Sequence, residues 1–164
     1  MTKVFWTFGD DISTDIIYPG RYMATVLPSE TPQYAFDDIK DLNKMLVNKE
    51  FPEDDVIVAG KNFGTGSSRE QAVSTLKGYD LVIIAKSFAR IFYQNSINLG
   101  LRIIICPDIE AKQGDAIEIA NGKVINKTSG KKFEITPHSK TRQEIIDAGG
   151  LIAYTRNRLM KNMA

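Results

Sequence analysis

Cysteine, histidine, net charge and long apolar runs are all scarce in this chain of 164 residues. One cysteine, Cys106, excludes an internal disulfide. It also leaves too few thiolates for this chain alone to hold an iron–sulfur cluster. Cys106 ends an apolar strand pattern and reads as packing. The one histidine, His138, follows Pro137 in a polar stretch, and no Gly-x-Ser-x-Gly elbow exists to pair with it. A Ser-His-Asp hydrolase is therefore not supported, and His138 reads as a surface side chain. A net charge of +1 gives no electrostatic case for nucleic acid or an anionic membrane. No apolar run nears the ~20 residues of a membrane span. Met1 to Trp6 runs into a strand-like pattern without the regions of a secretory signal, so a cytoplasmic location is expected. Asp11, Ser13 and Asp15 imitate the start of a calcium loop. The required glycine falls at Ile16 and the glutamate at Tyr22, which excludes it.

What is present suits one domain spanning 1–164, with an ordinary 43% of hydrophobic and 25% of charged residues to build a core and a solvated surface. Val4 to Phe8 reads as a strand, and residues 12–28 as loop broken by Pro19-Gly20 and Pro28. Thr31-Pro32 reads as the start of a helix that continues through Ile39, Leu42 and Leu46. The middle is clearer. Apolar runs at 56–59, 81–85 and 101–105 predict buried strands, separated by predicted helices over 67–76 and 87–99. Gly100 is the stop of the second helix, and Phe88, Ile91 and Phe92 read as its core face. Two strand–helix–strand crossovers imply at least three parallel strands. Asn121-Gly122 predicts a hairpin between 116–120 and 123–126, with 132–135 pairing next. Helical segments at 139–148 and 151–160 end the chain, with Arg156, Arg158 and Lys161 near the terminus. The expectation is α/β, with a mixed, largely parallel central sheet.

The informative stretch is Gly60-Lys61-Asn62-Phe63-Gly64-Thr65-Gly66-Ser67-Ser68-Arg69-Glu70-Gln71-Ala72, between a buried strand and a helix. Helix N-termini attract anions, and glycines let backbone approach them closely. No Gly-Lys-Ser/Thr closes the loop, so it is not a P-loop. Arg69 stands where a dinucleotide fingerprint needs its third glycine, and no acidic residue ends the next strand. A small carboxylate held by Arg69 fits better. Ser67-x-x-Glu70 also matches a capping box, which would make Ser67 a helix cap. A serine oxygen in that field would equally be activated as a base, so both readings stand.

The segment Gly64-Thr65-Gly66-Ser67-Ser68-Arg69-Glu70 resembles the signature of the aconitase superfamily's swivelling domain. Asp10-Asp11-Ile12-Ser13-Thr14-Asp15-Ile16-Ile17, followed by Pro19-Gly20-Arg21-Tyr22, resembles that family's opening motif. Lys86-Ser87-Phe88-Ala89-Arg90-Ile91-Phe92 resembles a third. Their order and spacing are similar to the stand-alone small subunits of isopropylmalate-type dehydratases. The resemblance implies a swivelling β/β/α domain and a separate large subunit carrying a [4Fe-4S] cluster. It implies Ser67 as the base that removes a proton beside a carboxylate, with Asp15 also catalytic. Ser68 and Arg69 would hold the carboxylate, and Thr14 would sit beside them at the subunit junction. Arg21, Tyr22, Met23, Ala24 and Thr25 would face the variable end of a 2-hydroxy dicarboxylate substrate. Relatives acting on citrate homologues carry arginine where Ala24 stands. Met23-Ala24 therefore suits an alkyl group, though Arg21 would supply a nearby cation. Isopropylmalate is the expected substrate, with dimethylmalate, methylmalate or homoaconitate as alternatives. A stand-alone anion-binding regulatory module is the alternative of a different class.

Overall fold

The computed structural model describes residues 2–52 and 54–163. Its centre is a seven-stranded sheet of order β4-β3-β2-β1-β5-β6-β7. The strands are β1 (Thr2–Thr7), β2 (Val56–Ala59), β3 (Val82–Ala85), β4 (Arg102–Ile105), β5 (Ala116–Ala120), β6 (Lys123–Asn126) and β7 (Lys132–Glu134). β1 to β4 pair in parallel, and β5 to β7 continue antiparallel from the β1 edge. The mixed α/β sheet expected from the sequence is present, and its parallel half carries the glycine-rich loop. The Asn121-Gly122 hairpin forms as read, with Ala120 opposite Lys123.

Strands covered on both faces read as continuous apolar runs, which is why 56–59 and 82–85 are so legible. Alternation then sends their side chains to two cores. Ile57, Ala59, Ile83, Ala85 and Ile103 face the helices. Val4, Val56, Val58, Val82 and Ile84 face inward with Ile117, Val124 and Phe133. That second core is enclosed because the sheet curls. The Thr136 N–H donates to the Ile105 carbonyl at 2.8 Å, bringing the end of the β7 side against β4.

The helices are α1 (Thr14–Ile17), α2 (Lys40–Val47), α3 (Glu70–Lys77), α4 (Arg90–Leu99), α5 (Lys140–Asp147) and α6 (Leu151–Met163). Residues 12–28 are not loop throughout. Ser13 caps α1, its hydroxyl accepting the Ile16 N–H at 3.2 Å, and Gly20–Tyr22 forms a 3-10 turn. The helix expected from Thr31 is instead a 3-10 turn, Pro32–Tyr34, separated from α2 by Phe36 at φ +51°. Phe36 is fully buried, so burial overrides helical continuity there. Thr31 caps nothing; its hydroxyl pairs with Ser74 Oγ at 2.9 Å. Ile91 is half exposed rather than core, while Phe92 is buried.

Gly100 stops α4 in the left-handed conformation, as read. Among the described residues no helix is long and apolar enough to cross a membrane.

Candidate active site

Three connections leave the carboxyl ends of β1, β2 and β3, and they keep pairing beyond the sheet. The Asp11 N–H donates to the Lys61 carbonyl, Gly64 to Ile12, Thr14 to Thr65, and Phe63 to Ser87. Open α/β sheets bind ligands at these strand ends, where loops from neighbouring strands converge. Gly64 makes the convergence possible. It sits at φ +88°, and a Cβ there would lie 2.2 Å from the Phe92 ring. Only glycine lets the loop press onto the aromatic cluster of Phe63, Phe88 and Phe92.

This packing delivers Thr14, Asp15, Ser67, Ser68 and Arg69 to one place. Thr14 is buried, and its Oγ1 donates to the Ser67 carbonyl at 2.9 Å. With that proton committed, Thr14 Oγ1 can only accept from Ser67 Oγ, which stands 3.4 Å away. Arg69 Nη1 donates to Asp15 Oδ1 at 2.8 Å and to the Tyr18 carbonyl at 3.1 Å. Asp15 Oδ1 also accepts the Gly20 N–H at 2.9 Å. The Arg69 hydrogen bond, then the Gly20 amide, hold the Asp15 carboxyl below its ordinary value. Arg69 is thus aimed by its Nη1, while its Nη2 has no hydrogen-bond partner among the described residues. Its Nε is buried without one. Ser67 and Ser68 are exposed beside it.

The capping-box reading does not survive. α3 begins at Glu70, three residues beyond Ser67, with Arg69 at the cap position and no side-chain cap. The Ser67 hydroxyl is therefore free of a capping duty. The unpaired first-turn amides of α3 lie just beyond it and add positive potential.

The segment after α1 folds against the same cluster. Tyr18 is fully buried, and its hydroxyl sits 3.1 Å from both the Tyr22 and Thr25 carbonyls. Gln71 of α3 donates to the Met23 carbonyl at 3.2 Å. Met23 and Ala24 are exposed, as are Val26 and Leu27. Arg21 does not join the group. Its Nη2 reaches Asp37 at 2.6 Å and Asp38 at 2.7 Å, and the guanidinium lies 4.8 Å from the Tyr22 ring centre. The Tyr22 hydroxyl donates to the same Asp37 oxygen at 2.7 Å. That phenol, and then Arg21, draw the Asp37 carboxyl below its ordinary value.

Residues 20–107 match the model of the aconitase C-terminal domain. The chain belongs to that family. It is 44% identical over 156 residues to the 3-isopropylmalate dehydratase small subunit of Methanosarcina mazei, covering 92% of this chain and 93% of that one. It is 44% identical over 159 residues to the protein of the same description from Aquifex aeolicus, covering 94% and 93%. The crystal structure of a 3-isopropylmalate dehydratase from Methanocaldococcus jannaschii superposes with a TM-score of 0.85 at 41% identity, over 98% of this chain and 96% of that one. Membership in the aconitase C-terminal domain family accounts for the three motifs and makes the chain part of a hydro-lyase system.

Two scarce residues are placed away from the cluster. His138 is half-buried rather than on the open surface. Its Nε2 is 2.8 Å from the Ile103 carbonyl and its Nδ1 2.7 Å from the Tyr93 hydroxyl. The carbonyl only accepts, so Nε2 carries a proton and donates to it. Cys106 is fully buried in the inner core with its Sγ on the Glu134 carbonyl at 3.4 Å. Burial pushes its thiol up to about 11, the opposite of a ligating thiolate. Among the described residues no group of His, Cys, Asp and Glu could hold a metal ion. The donor set of this chain does not fit a cluster. The residues that sequence reasoning missed are Tyr18, Asp37, Asp38 and Gln71. Gln71 lies in the informative stretch but was given no role, the other three lie outside the quoted motifs, and only the folded arrangement brings them to the Gly20–Thr25 segment.

Proposed function

We propose that this chain, all 164 residues acting as one swivelling domain, is the small subunit of a cytoplasmic iron–sulfur hydro-lyase. The enzyme isomerises isopropylmalate by dehydration and rehydration, a reaction of leucine biosynthesis. The observation that carries the reading is the contact of Ser67 with Thr14 at the strand ends, next in sequence to the Asp15 that pairs with Arg69, in a chain whose relatives carry the description of 3-isopropylmalate dehydratase small subunit. The [4Fe-4S] cluster belongs to the large subunit. The share of the chemistry on this chain is proton transfer and carboxylate binding.

In its alkoxide form, favoured by the positive potential of Arg69 and the α3 N-terminus, Ser67 Oγ takes the proton from the carbon next to a substrate carboxylate and becomes the hydroxyl. The electron pair left behind spreads onto that carboxylate, which therefore gains charge in the transition state. Fixed positive groups at that point lower the barrier. Arg69 Nη2, the Ser68 hydroxyl and the first-turn amides of α3 supply them. Asp15 fixes the guanidinium so that no reorientation accompanies the reaction. Once Ser67 has taken the proton, Thr14 Oγ1 accepts from the resulting hydroxyl and holds it until the proton is returned. The hydroxyl leaves on the partner's side and water returns at the neighbouring carbon, with Ser67 giving its proton back. Met23 and Ala24 offer the substrate's variable end an apolar, small surface, which suits isopropyl.

The test is reconstitution with the large subunit under anaerobic conditions, assaying water loss from isopropylmalate. Activity in the mixture and none in either chain alone is expected. Ser67→Ala should still assemble but turn over at least ~10³-fold more slowly, a base being worth about that much. Full activity in this variant would remove Ser67 from the chemistry. Absence of any complex would favour a stand-alone anion-binding module, and a silent complex would move the substrate to dimethylmalate, methylmalate or homoaconitate.

A further inference from the structure

Arg21, a cation two residues before the exposed Met23, is engaged through both terminal nitrogens by two carboxylates that no motif contains. Arg21 follows Gly20, whose amide is on Asp15 and whose position lies against the Arg69 guanidinium. A Cβ on Gly20 would be 3.3 Å from Arg69 Nη2. Consecutive Cα atoms are about 3.8 Å apart, so a free Arg21 head has the reach to enter the same space. It is turned away instead. Asp38 receives both of its terminal nitrogens, at 2.7 and 3.3 Å, and Asp37 receives Nη2 at 2.6 Å. Tyr22 stacks below the guanidinium and donates to Asp37.

The two aspartates stand on rigid ground. They follow Phe36, which is fully buried and whose N–H donates to the Ile17 carbonyl at 2.8 Å. Two carboxylates on one guanidinium more than cancel its charge, and Lys40, 3.6 Å from Asp37, only restores neutrality. The end of the site next to Met23 and Ala24 therefore offers no net positive charge.

We infer that Asp37 and Asp38 are specificity-determining positioning residues: they hold Arg21 off the site and so exclude substrates carrying a third carboxylate. This rests on the hydro-lyase reading above. Isocitrate is the matched probe, because it carries a carboxymethyl group where isopropylmalate carries isopropyl. A carboxylate entering a site with no cation to pair it is strongly disfavoured. Freeing Arg21 should supply that cation.

The experiment compares the reconstituted complex with its Asp37→Asn/Asp38→Asn variant, reading kcat/KM for isocitrate relative to isopropylmalate. Asparagine keeps an acceptor for the Tyr22 hydroxyl, so the segment remains anchored. The ratio should rise by about tenfold or more, the size expected for gaining one partly exposed charge pair with a carboxylate. Adding Arg21→Gln to the double variant should return the ratio to its starting value. A ratio that stays fixed while both substrates weaken together shows a purely structural role and overturns the inference. So does a gain that persists without Arg21. Calorimetric affinities of the same complexes for the two acids give the ratio without turnover. A wild-type complex silent on isopropylmalate would thus count against the substrate reading, while the affinity ratio still decides the Arg21 clamp.

Discussion

Asp15 and Arg69 lie 54 residues apart in sequence and meet at 2.8 Å, one from the end of β1's connection and one from the cap of α3. The pair is lopsided. Arg69 is 16% exposed and Asp15 65% exposed, so the aspartate works from the solvent side on a guanidinium packed into the fold. Such a bond contributes more to aim than to stability. Asp15→Asn should change unfolding free energy by no more than about 1 kcal/mol. Activity of the assembled enzyme should fall by ~10–100-fold, because a small misplacement of a binding group is costly to the rate. The acid limb of stability gives an independent check. The Asp15 carboxyl is held low in the folded state, so its contribution is present above the ordinary carboxylate value of 3.8 and is lost as pH falls through the lower folded value. Urea midpoints measured from about pH 5 downward should fall more steeply for the wild type than for Asp15→Asn. Parallel curves would show that the pair is not formed in solution.

Gly64→Ala tests the close approach that assembles the site. The added methyl would meet Phe92 Cγ at 2.2 Å, and the backbone stands at φ +88°. Overpacking costs ~1–3 kcal/mol, and strain at positive φ adds about another 1. A loss of roughly 2–4 kcal/mol in denaturant unfolding is expected from the two together. Gly114, also at positive φ, has nothing within 4 Å of its would-be Cβ, so Gly114→Ala should carry the backbone part alone. Equal losses at both glycines would deny any role to the Phe92 contact.

The parallel core and the signature loop were legible for the same reason: each is fixed by interactions local in sequence. The runs at 56–59 and 82–85 are apolar because both of their faces are covered. Gly64, Ser67 and Arg69 could be placed on a strand-to-helix loop from their flanks alone. The start of α3 was misread because Ser67-x-x-Glu70 has the letters of a capping box, while the loop spends that serine's carbonyl on Thr14 and the Arg69 amide. Residues 12–47 were read least well. Their conformation is set by distant partners, such as Thr75 donating to the Thr31 carbonyl at 2.7 Å and Phe36 reaching the Ile17 carbonyl. The Arg21 clamp was invisible for the same reason, since nothing in the spacing of Asp37 and Asp38 points back to residue 21.

Cys106 should be inert while the chain is folded. It is fully buried, and burial, followed by the charges of Asp108 and Glu134, pushes the thiol up to about 11. The reactive species is the thiolate, so iodoacetamide at pH 8 should label the native chain at a rate limited by opening of the inner core. The urea-unfolded chain should label as an ordinary thiol. The raised value also sets a pH dependence. The protonated thiol's contribution to stability is complete below the unfolded value near 9 and is lost as pH rises through the folded value. Cys106→Ala should remove that alkaline dependence along with some packing. Rapid labelling of the folded chain would contradict the enclosure of the inner core by the curled sheet.

Tyr18 is the post on which the Gly20–Thr25 segment hangs. Its ring is fully buried and its hydroxyl serves the Tyr22 and Thr25 carbonyls at once. One O–H proton is shared between two acceptors, so Tyr18→Phe removes a single bifurcated interaction without removing the packed ring. Net stabilisation from such a bond is about 1 kcal/mol, and this is the expected loss in unfolding free energy. The larger effect should be local. With Gln71 left as the remaining tie to the Met23 carbonyl, amide exchange at Met23, Ala24 and Thr25 should quicken while the strands of the parallel sheet stay protected. In the reconstituted enzyme the proposed division of roles, with this segment facing the substrate's variable end and Ser67 moving the proton, predicts that KM should rise more than kcat falls. A fall in kcat alone would place this segment in the chemical step instead, and with it the division of labour between Ser67–Arg69 and the Arg21–Thr25 surface would have to be redrawn.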